Sequence, residues 1–200
     1  MAATQPPAEE HPGRAKRALR AEILARRAAR TPAEVAAYGE RLATAALAHP
    51  VVAGARCVAA YVGVGTEPAT LPLLDALRAG GVRVLLPVLR PDWSLDWGRY
   101  DGRDALVTSS RGLLEPRAPE GAAGTADAVD ALGDADVVLL PGLACSADGA
   151  RLGRGGGAYD RALAALRSPV PTYVLLHPDE VGIDVPTEPH DVPVDGAITG

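Results

Sequence analysis

Between Asp148 and Arg161 the chain reads Asp-Gly-Ala-Arg-Leu-Gly-Arg-Gly-Gly-Gly-Ala-Tyr-Asp-Arg. Four of the five residues from Gly153 to Gly157 are glycine. Such a run turns tightly and brings its N–H groups close to a ligand. The helix expected to begin at Ala158 aims its N-terminal amides the same way, which together makes a cradle for phosphate. Arg151 and Arg154 add charged donors suited to phosphate oxygens. Asp160, in the first turn of that helix, is placed as a magnesium ligand, because Mg²⁺ favours carboxylates in company with phosphate oxygens and water. A flexible linker is also glycine-rich, but it needs neither bracketing arginines nor a helix at its end. The Lys-Ser/Thr ending of a Walker loop is missing, and no ribose-binding acid follows as it would in a dinucleotide fingerprint. Near the N-terminus, Lys16 and Arg20 stand four residues apart and share a helix face. On spacing alone, a solvated basic face accounts for them.

These groups need a frame. The 200 residues suit one domain, and 48% hydrophobic against 22% charged residues allow a sizeable core. With no Phe and one Met, that core must be aliphatic. The net charge of -5 argues against nucleic acid as a partner. The arginines crowded between Arg14 and Arg30 still form a local patch able to hold a small polyanion. Cys57 and Cys145 lie in apolar runs without zinc or redox spacing, so a reducing compartment and no disulfide are expected. Met1–Pro12 has no apolar signal core, and no stretch approaches a membrane span. The protein is expected to be cytoplasmic, off the membrane, with residues 1–13 a disordered tail and 14–200 a single domain.

Periodicity predicts a helix from Arg14 to Arg30, with Leu19, Ile23, Leu24 and the Arg27 stem on one face. Thr31-Pro32-Ala33-Glu34 is a capping box opening a second helix, stopped by Pro50. Buried strands are expected at Cys57–Val62, Val82–Val88, Val137–Leu140 and Thr172–Leu176, with a half-exposed one at Leu95–Tyr100 and a short one at Ala197–Thr199. Helices run from the Thr70 cap to Leu77 and from Ala158 to Leu166, while Asp101–Ala135 reads as loop, with a turn at Leu114-Glu115-Pro116. The alternation implies an α/β fold, a Rossmann-like three-layer arrangement with a largely parallel sheet and helices on both faces. Ligands of such sheets sit outside the carboxyl ends of the strands.

The run from Asp136 through Leu140-Pro141-Gly142 to Ala144, then Asp148-Gly149 and Arg151-Leu152-Gly153-Arg154-Gly155-Gly156-Gly157-Ala158-Tyr159-Asp160-Arg161, resembles the signature of the 5-formyltetrahydrofolate cyclo-ligase family. Lys16 with Leu19-Arg20, Gly65-Thr66-Glu67-Pro68 with Thr70, Leu114-Glu115-Pro116 and His190 to Asp195 extend the likeness in the family's order. The protein is expected to be a monomer, and the resemblance implies an enzyme whose partners are ATP and 5-formyltetrahydrofolate. ATP phosphorylates the formyl oxygen, the folate N10 attacks, phosphate leaves, and 5,10-methenyltetrahydrofolate forms. It puts Lys16, Arg20 and Arg151 to Tyr159 at the ATP, with Lys16 and Arg154 as the catalytic cations. Val62, Glu67, Arg154 and Gly156 would meet the folate, and Asp191 would join Asp160 on Mg²⁺. Without the resemblance, Glu67 is an ordinary loop acid, Val62 is core and Asp191 is unremarkable. His49, His177 and His190 show no metal-ligand spacing, and Trp93 and Trp97 read as packing residues, with shelter of the folate by one of them as the alternative.

The sequence departs from the family at Ala158, where the first Tyr of Tyr-Tyr-Asp usually stands, and at Cys145-Ser146, in place of an aromatic-Asp pair. Two rival readings remain at this stage: a sugar-phosphate isomerase or acyl-transferase on a similar sheet, and a non-catalytic nucleotide or folate sensor.

Overall fold

The computed structural model describes residues 12–117 and 132–200. Helix α1 spans Pro12–Ala28, so Pro12 and Gly13 are helical rather than tail; the remainder of the expected tail lies outside the described residues. Its buried residues are Lys16, Ile23 and Arg27. Leu24 sits one position off that stripe and is exposed, contrary to expectation. Helix α2 (Pro32–Ala48) starts at the predicted capping box: Thr31 Oγ1 accepts from the Glu34 N–H, and the Glu34 carboxylate accepts from the Thr31 N–H. Pro50 ends α2 and also opens a one-turn helix, α3 (Pro50–Ala53), because a first turn has no use for the N–H that proline lacks.

The strands are β1 (Cys57–Ala59), β2 (Arg83–Leu89), β3 (Leu95–Arg99), β4 (Leu106–Thr108), β5 (Leu114–Pro116), β6 (Val137–Pro141), β7 (Ala144–Cys145), β8 (Arg151–Leu152), β9 (Thr172–Leu175) and β10 (Gly196–Ile198). Helices α4 (Leu71–Ala79) and α5 (Ala158–Ala164) are interposed. The main sheet has six strands in the order β10-β9-β6-β1-β2-β3. All neighbours are parallel except β2 and β3. One face packs on α2, α3 and α4 through Leu42, Val52, Leu73, Leu74, Val84, Leu86 and Leu139. The other buries Leu163 of α5 with Ala59, Leu85, Val138, Leu140 and Val174. The expected three layers are therefore present. Among the described residues, no helix is long and apolar enough to cross a membrane.

Pairing departs from expectation in three places. β1 leaves the ladder at Ala59 although the chain stays buried to Val62. There Thr70 Oγ1 donates to the Tyr61 carbonyl (2.6 Å) and accepts from the Gly63 N–H (3.0 Å), turning the backbone out of the sheet. Thr70 thus staples the loop rather than capping α4 with its side chain. β2 runs on through Pro87 to Leu89, a position open to proline because β1 pairs with β2 only as far as Leu85. Leu114–Pro116 is a strand, not a turn: it pairs antiparallel with β4, and the reversal lies at Ser109–Gly112. The buried Glu115 carboxylate accepts from the Leu89 N–H, fixing that hairpin to β2. Residues 118–131 of the expected loop lie outside the described residues.

α1 is anchored by charge. Arg27 and Glu180 have no exposed side-chain surface, and Arg27 Nε and Nη2 reach the two Glu180 oxygens at 2.6 and 2.7 Å. Arg27 Nη2 also donates to the Gly142 carbonyl at 2.7 Å. A buried ion of this kind is tolerable only with its partner. Glu180→Gln should destabilise the fold by about 3–5 kcal/mol in urea unfolding, and pairing it with Arg27→Met should restore part of that loss. A single variant as stable as the parent would show that the pair does not hold α1.

Candidate functional site

From β1 the chain crosses through α4 to β2 on one side, and from β6 it crosses through α5 to β9 on the other. The strand order therefore reverses between β1 and β6, and a crevice opens outside their carboxyl ends. The loops that follow these two strands carry Val62 and Glu67, and Arg151 to Tyr159, respectively. A cavity of about 630 Å³ lies there, a size suited to small ligands. Every residue expected at the ATP, the folate or the metal lines it: Lys16, Arg20, Val62, Glu67, Arg151 to Tyr159, Asp160 and Asp191.

The loop after β1 is held closely. A Cβ on Gly63 would fall 2.2 Å from the Pro68 carbonyl oxygen, so only glycine permits the closure. Glu67 is buried; its Oε2 accepts from the Val64 N–H at 3.0 Å. Its Oε1 accepts from Arg154 Nε at 2.8 Å. The glycine loop and the acid of the β1 loop, 87 residues apart, are thus in direct contact.

The loop after β6 is more structured than a bare cradle. β7 and β8 form an antiparallel hairpin that the sequence reading missed, with Arg151 and Leu152 on its second strand. Leu152 is buried with Ile23, Leu143 and Val185. Arg151 is buried too: Nη1 donates to the Pro141 carbonyl (3.2 Å) and Nη2 to Asp160 Oδ1 (2.9 Å). It borders the cavity, but its guanidinium is engaged in orienting Asp160. Gly157, at φ 64°, makes the left-handed turn into α5. Tyr159 is next along, its hydroxyl pKa pushed up by burial and by the nearby Glu67 charge.

α1 closes another side. Arg20 Nε donates to the Gly153 carbonyl at 2.8 Å. Lys16 is buried rather than solvated, and its ammonium reaches Asp191 Oδ2 (2.6 Å) and Glu188 Oε2 (2.8 Å). Burial would lower the Lys16 pKa, but these two bonds outweigh it and the net shift is upward. Burial likewise pushes Asp191 up, while the Lys16 bond and the Glu188 N–H carry it below the usual carboxylate range. Asp160 and Asp191 border the same cavity from different segments, with Asp160 Oδ1 3.5 Å from the Val192 N–H.

Several residues at the cavity were not anticipated. Glu188 and His190 join Asp191, with candidate ligand atoms within 4.8 Å of one another. The local signal was a tight turn, in which the Asp191 N–H donates to the Glu188 carbonyl (3.0 Å), not a helical His spacing. Of the two tryptophans, Trp93 is half-exposed at the cavity, the place left open for one that shelters a ligand, whereas Trp97 packs on the core. Tyr61 also lines the cavity, with a buried hydroxyl that has no hydrogen-bond partner among the described residues. Its place at the end of β1, next to Val62, was the available clue.

The chain is similar in sequence and in fold to proteins of one family. The 5-formyltetrahydrofolate cyclo-ligase family profile matches residues 12–200. The chain is 39% identical to a 5-formyltetrahydrofolate cyclo-ligase of Mycolicibacterium smegmatis, covering 93% of this chain and 94% of that one. It is 32% identical to the Escherichia coli K12 enzyme of the same name, over 88% and 96%. In fold it is similar to Aquifex aeolicus 5,10-methenyltetrahydrofolate synthetase, with a TM-score of 0.74 at 24% identity over 92% and 89% of the two chains. The Mycoplasma pneumoniae synthetase superposes with a TM-score of 0.67 at 21% identity, over 92% and 98%. With a profile match along nearly its whole length and close relatives of matching length, the chain belongs to the 5-formyltetrahydrofolate cyclo-ligase family.

Proposed function

We propose that this protein uses ATP to cyclise 5-formyltetrahydrofolate to 5,10-methenyltetrahydrofolate, releasing ADP and phosphate. The observation that carries the reading is the contact between Arg154 of the glycine loop and Glu67 of the β1 loop inside one cavity. It brings a phosphate-binding segment against a buried carboxylate able to accept from pterin N–H groups.

The chemistry asks for positioning and charge, not for a side-chain nucleophile. The Gly153–Gly157 backbone receives the phosphates, and Lys16, Arg20 and Arg154 surround them with positive charge. When pterin N–H groups take Glu67 Oε1, Arg154 is released towards the phosphoryl group, so folate binding readies a catalytic cation. The formyl oxygen takes the γ-phosphoryl group as its bond to ADP breaks, N10 forms the new bond to the formyl carbon and loses its proton to the departing phosphate, and the carbon–oxygen bond to that phosphate breaks. Asp160 and Asp191 offer the hard oxygen donors that suit Mg²⁺, and both border the cavity. When bound there, the ion would neutralise phosphate charge. We also propose that the protein works as a monomer, since one chain supplies every site residue named here, and in a reducing cytoplasm, in keeping with free Cys57 and Cys145.

Purified protein with ATP, Mg²⁺ and 5-formyltetrahydrofolate should gain methenyltetrahydrofolate absorbance with one ADP per turnover, and chelation of Mg²⁺ should stop it. Folate-dependent absorbance that never appears would leave the sensor reading in its place. Asp160→Asn should reduce turnover by at least the roughly 10–100-fold typical of losing an outer-shell partner of a metal, with the far-ultraviolet spectrum unchanged. Full turnover with a normal magnesium requirement would remove Asp160 from the ligand set.

Ala158 begins α5 and borders the cavity, at the position where the family resemblance implies the first tyrosine of Tyr-Tyr-Asp. The backbone cradle does not depend on that side chain. Ala158→Tyr should therefore leave the KM for ATP unchanged and raise kcat/KM for the folate by up to about tenfold, the worth of one hydrogen bond in a closed site. No gain would mean that another residue supplies the contact.

A further inference from the structure

Trp93 is the one described residue other than glycine with a positive φ, 66°. A bulky side chain is an outlier in that region and persists only where its surroundings enforce it. Three separate interactions do so here. The Trp93 N–H donates to the Arg90 carbonyl (3.1 Å), closing the tip of the β2–β3 hairpin. Arg161, on α5, donates to the Trp93 carbonyl at 2.8 Å. The Arg111 guanidinium lies 4.8 Å from the indole centroid, itself held by the Arg90 carbonyl at 3.1 Å. Yet the residue so restrained remains 51% exposed, and it borders the cavity. An indole held in a strained conformation while contributing little to the core is arranged for a ligand.

The cavity specifies which part of a ligand. Its lining grades from the buried Glu67 to the half-exposed Trp93, with the apolar Pro87, Leu89 and Leu95 also on its wall. A reduced folate is graded the same way, from the hydrogen-bonding pterin through the p-aminobenzoyl ring to an anionic glutamate. We propose that Trp93 is a substrate-binding residue that sets folate affinity: its indole, backed by Arg111, stacks on the p-aminobenzoyl ring of the folate whose pterin meets Glu67. This rests on the folate reading above. The positive charge of Arg111 and Arg161 at the same edge suits the glutamate carboxylates that follow the ring.

The backbone strain separates a binding role from a structural one. Glycine adopts φ 66° freely, so Trp93→Gly should melt at the parent temperature or higher, while its KM for 5-formyltetrahydrofolate rises about tenfold from the lost stacking. The KM for ATP should stay the same, and Trp93→Phe should recover most of the folate affinity. An unchanged folate KM in Trp93→Gly overturns the proposal. So does a rise confined to ATP, which would put adenine on the indole. Direct binding tests the stacking even if the parent shows no turnover. The sequence has two tryptophans, so Trp97→Phe leaves Trp93 as the sole emitter. Titration with 5-formyltetrahydrofolate should quench its fluorescence, and saturable binding with unaltered emission would equally overturn the assignment. Loss of turnover together with intact quenching would count against the catalytic reading alone.

Discussion

A guanidinium and a carboxylate with no exposed surface hold each other in place, and in this protein that pair governs where the cations of the site stand. Arg27 lies on the same stripe of α1 as Lys16 and Arg20, which precede it by eleven and seven residues, close to whole numbers of turns. Its partner Glu180 accepts from the His177 N–H (3.0 Å), and the His177 ring lies 3.2 Å from the Thr66 carbonyl, beside Glu67. Arg27 Nη2 also donates to the Gly142 carbonyl, where the chain leaves β6 for the β7–β8 hairpin. One buried ionic cluster therefore ties together α1, the loop after β1 and the loop after β6. These are the segments that carry the proposed ATP and folate contacts. Burial lowers the His177 pKa.

The same economy of charge appears in the cavity. Lys16 is paired with Asp191 and Glu188, Arg151 with Asp160, and Arg154 with Glu67. Lys16, Arg151 and Arg154 each have an acid partner within the site, whereas Arg20 donates to the Gly153 carbonyl. On the proposed reading, a polyanion and a metal bind by exchange of these partners, so that the buried charges of those three pairs stay compensated. On the proposed reading the arrangement also couples the ligands. Arg154 cannot serve Glu67 and a phosphoryl group with the same donor, so occupation of the folate end changes the cation available at the other.

Much of this was legible in the residues themselves. The capping box at Thr31, the buried runs that became β1, β2, β6 and β9, and the glycine loop ahead of α5 all depend on local chemistry: a hydroxyl near a helix start, apolar runs of strand length, backbone freedom at Gly157. The β4–β5 pairing was not, because strands of three residues have too little periodicity to register and depend on a distant latch, Glu115 on the Leu89 N–H. The β7–β8 hairpin was obscured in the same way: its two-residue strands were absorbed into the motif around them.

For the site, local sequence determined which residue types could do the work: glycines that bare the backbone, arginines for phosphate, and an aspartate one turn into a helix. It could not decide their company. Lys16 reads as a solvated helical lysine until Asp191, 175 residues away, is found against it. Arg151 reads as a phosphate donor until its guanidinium is seen bound to Pro141 and Asp160. Trp93 reads as packing until its backbone proves strained and its ring half-exposed at the cavity. Local chemistry acts over a few residues of chain, whereas burial, ion pairing and the reversal of strand order between β1 and β6 exist only once distant segments are packed together.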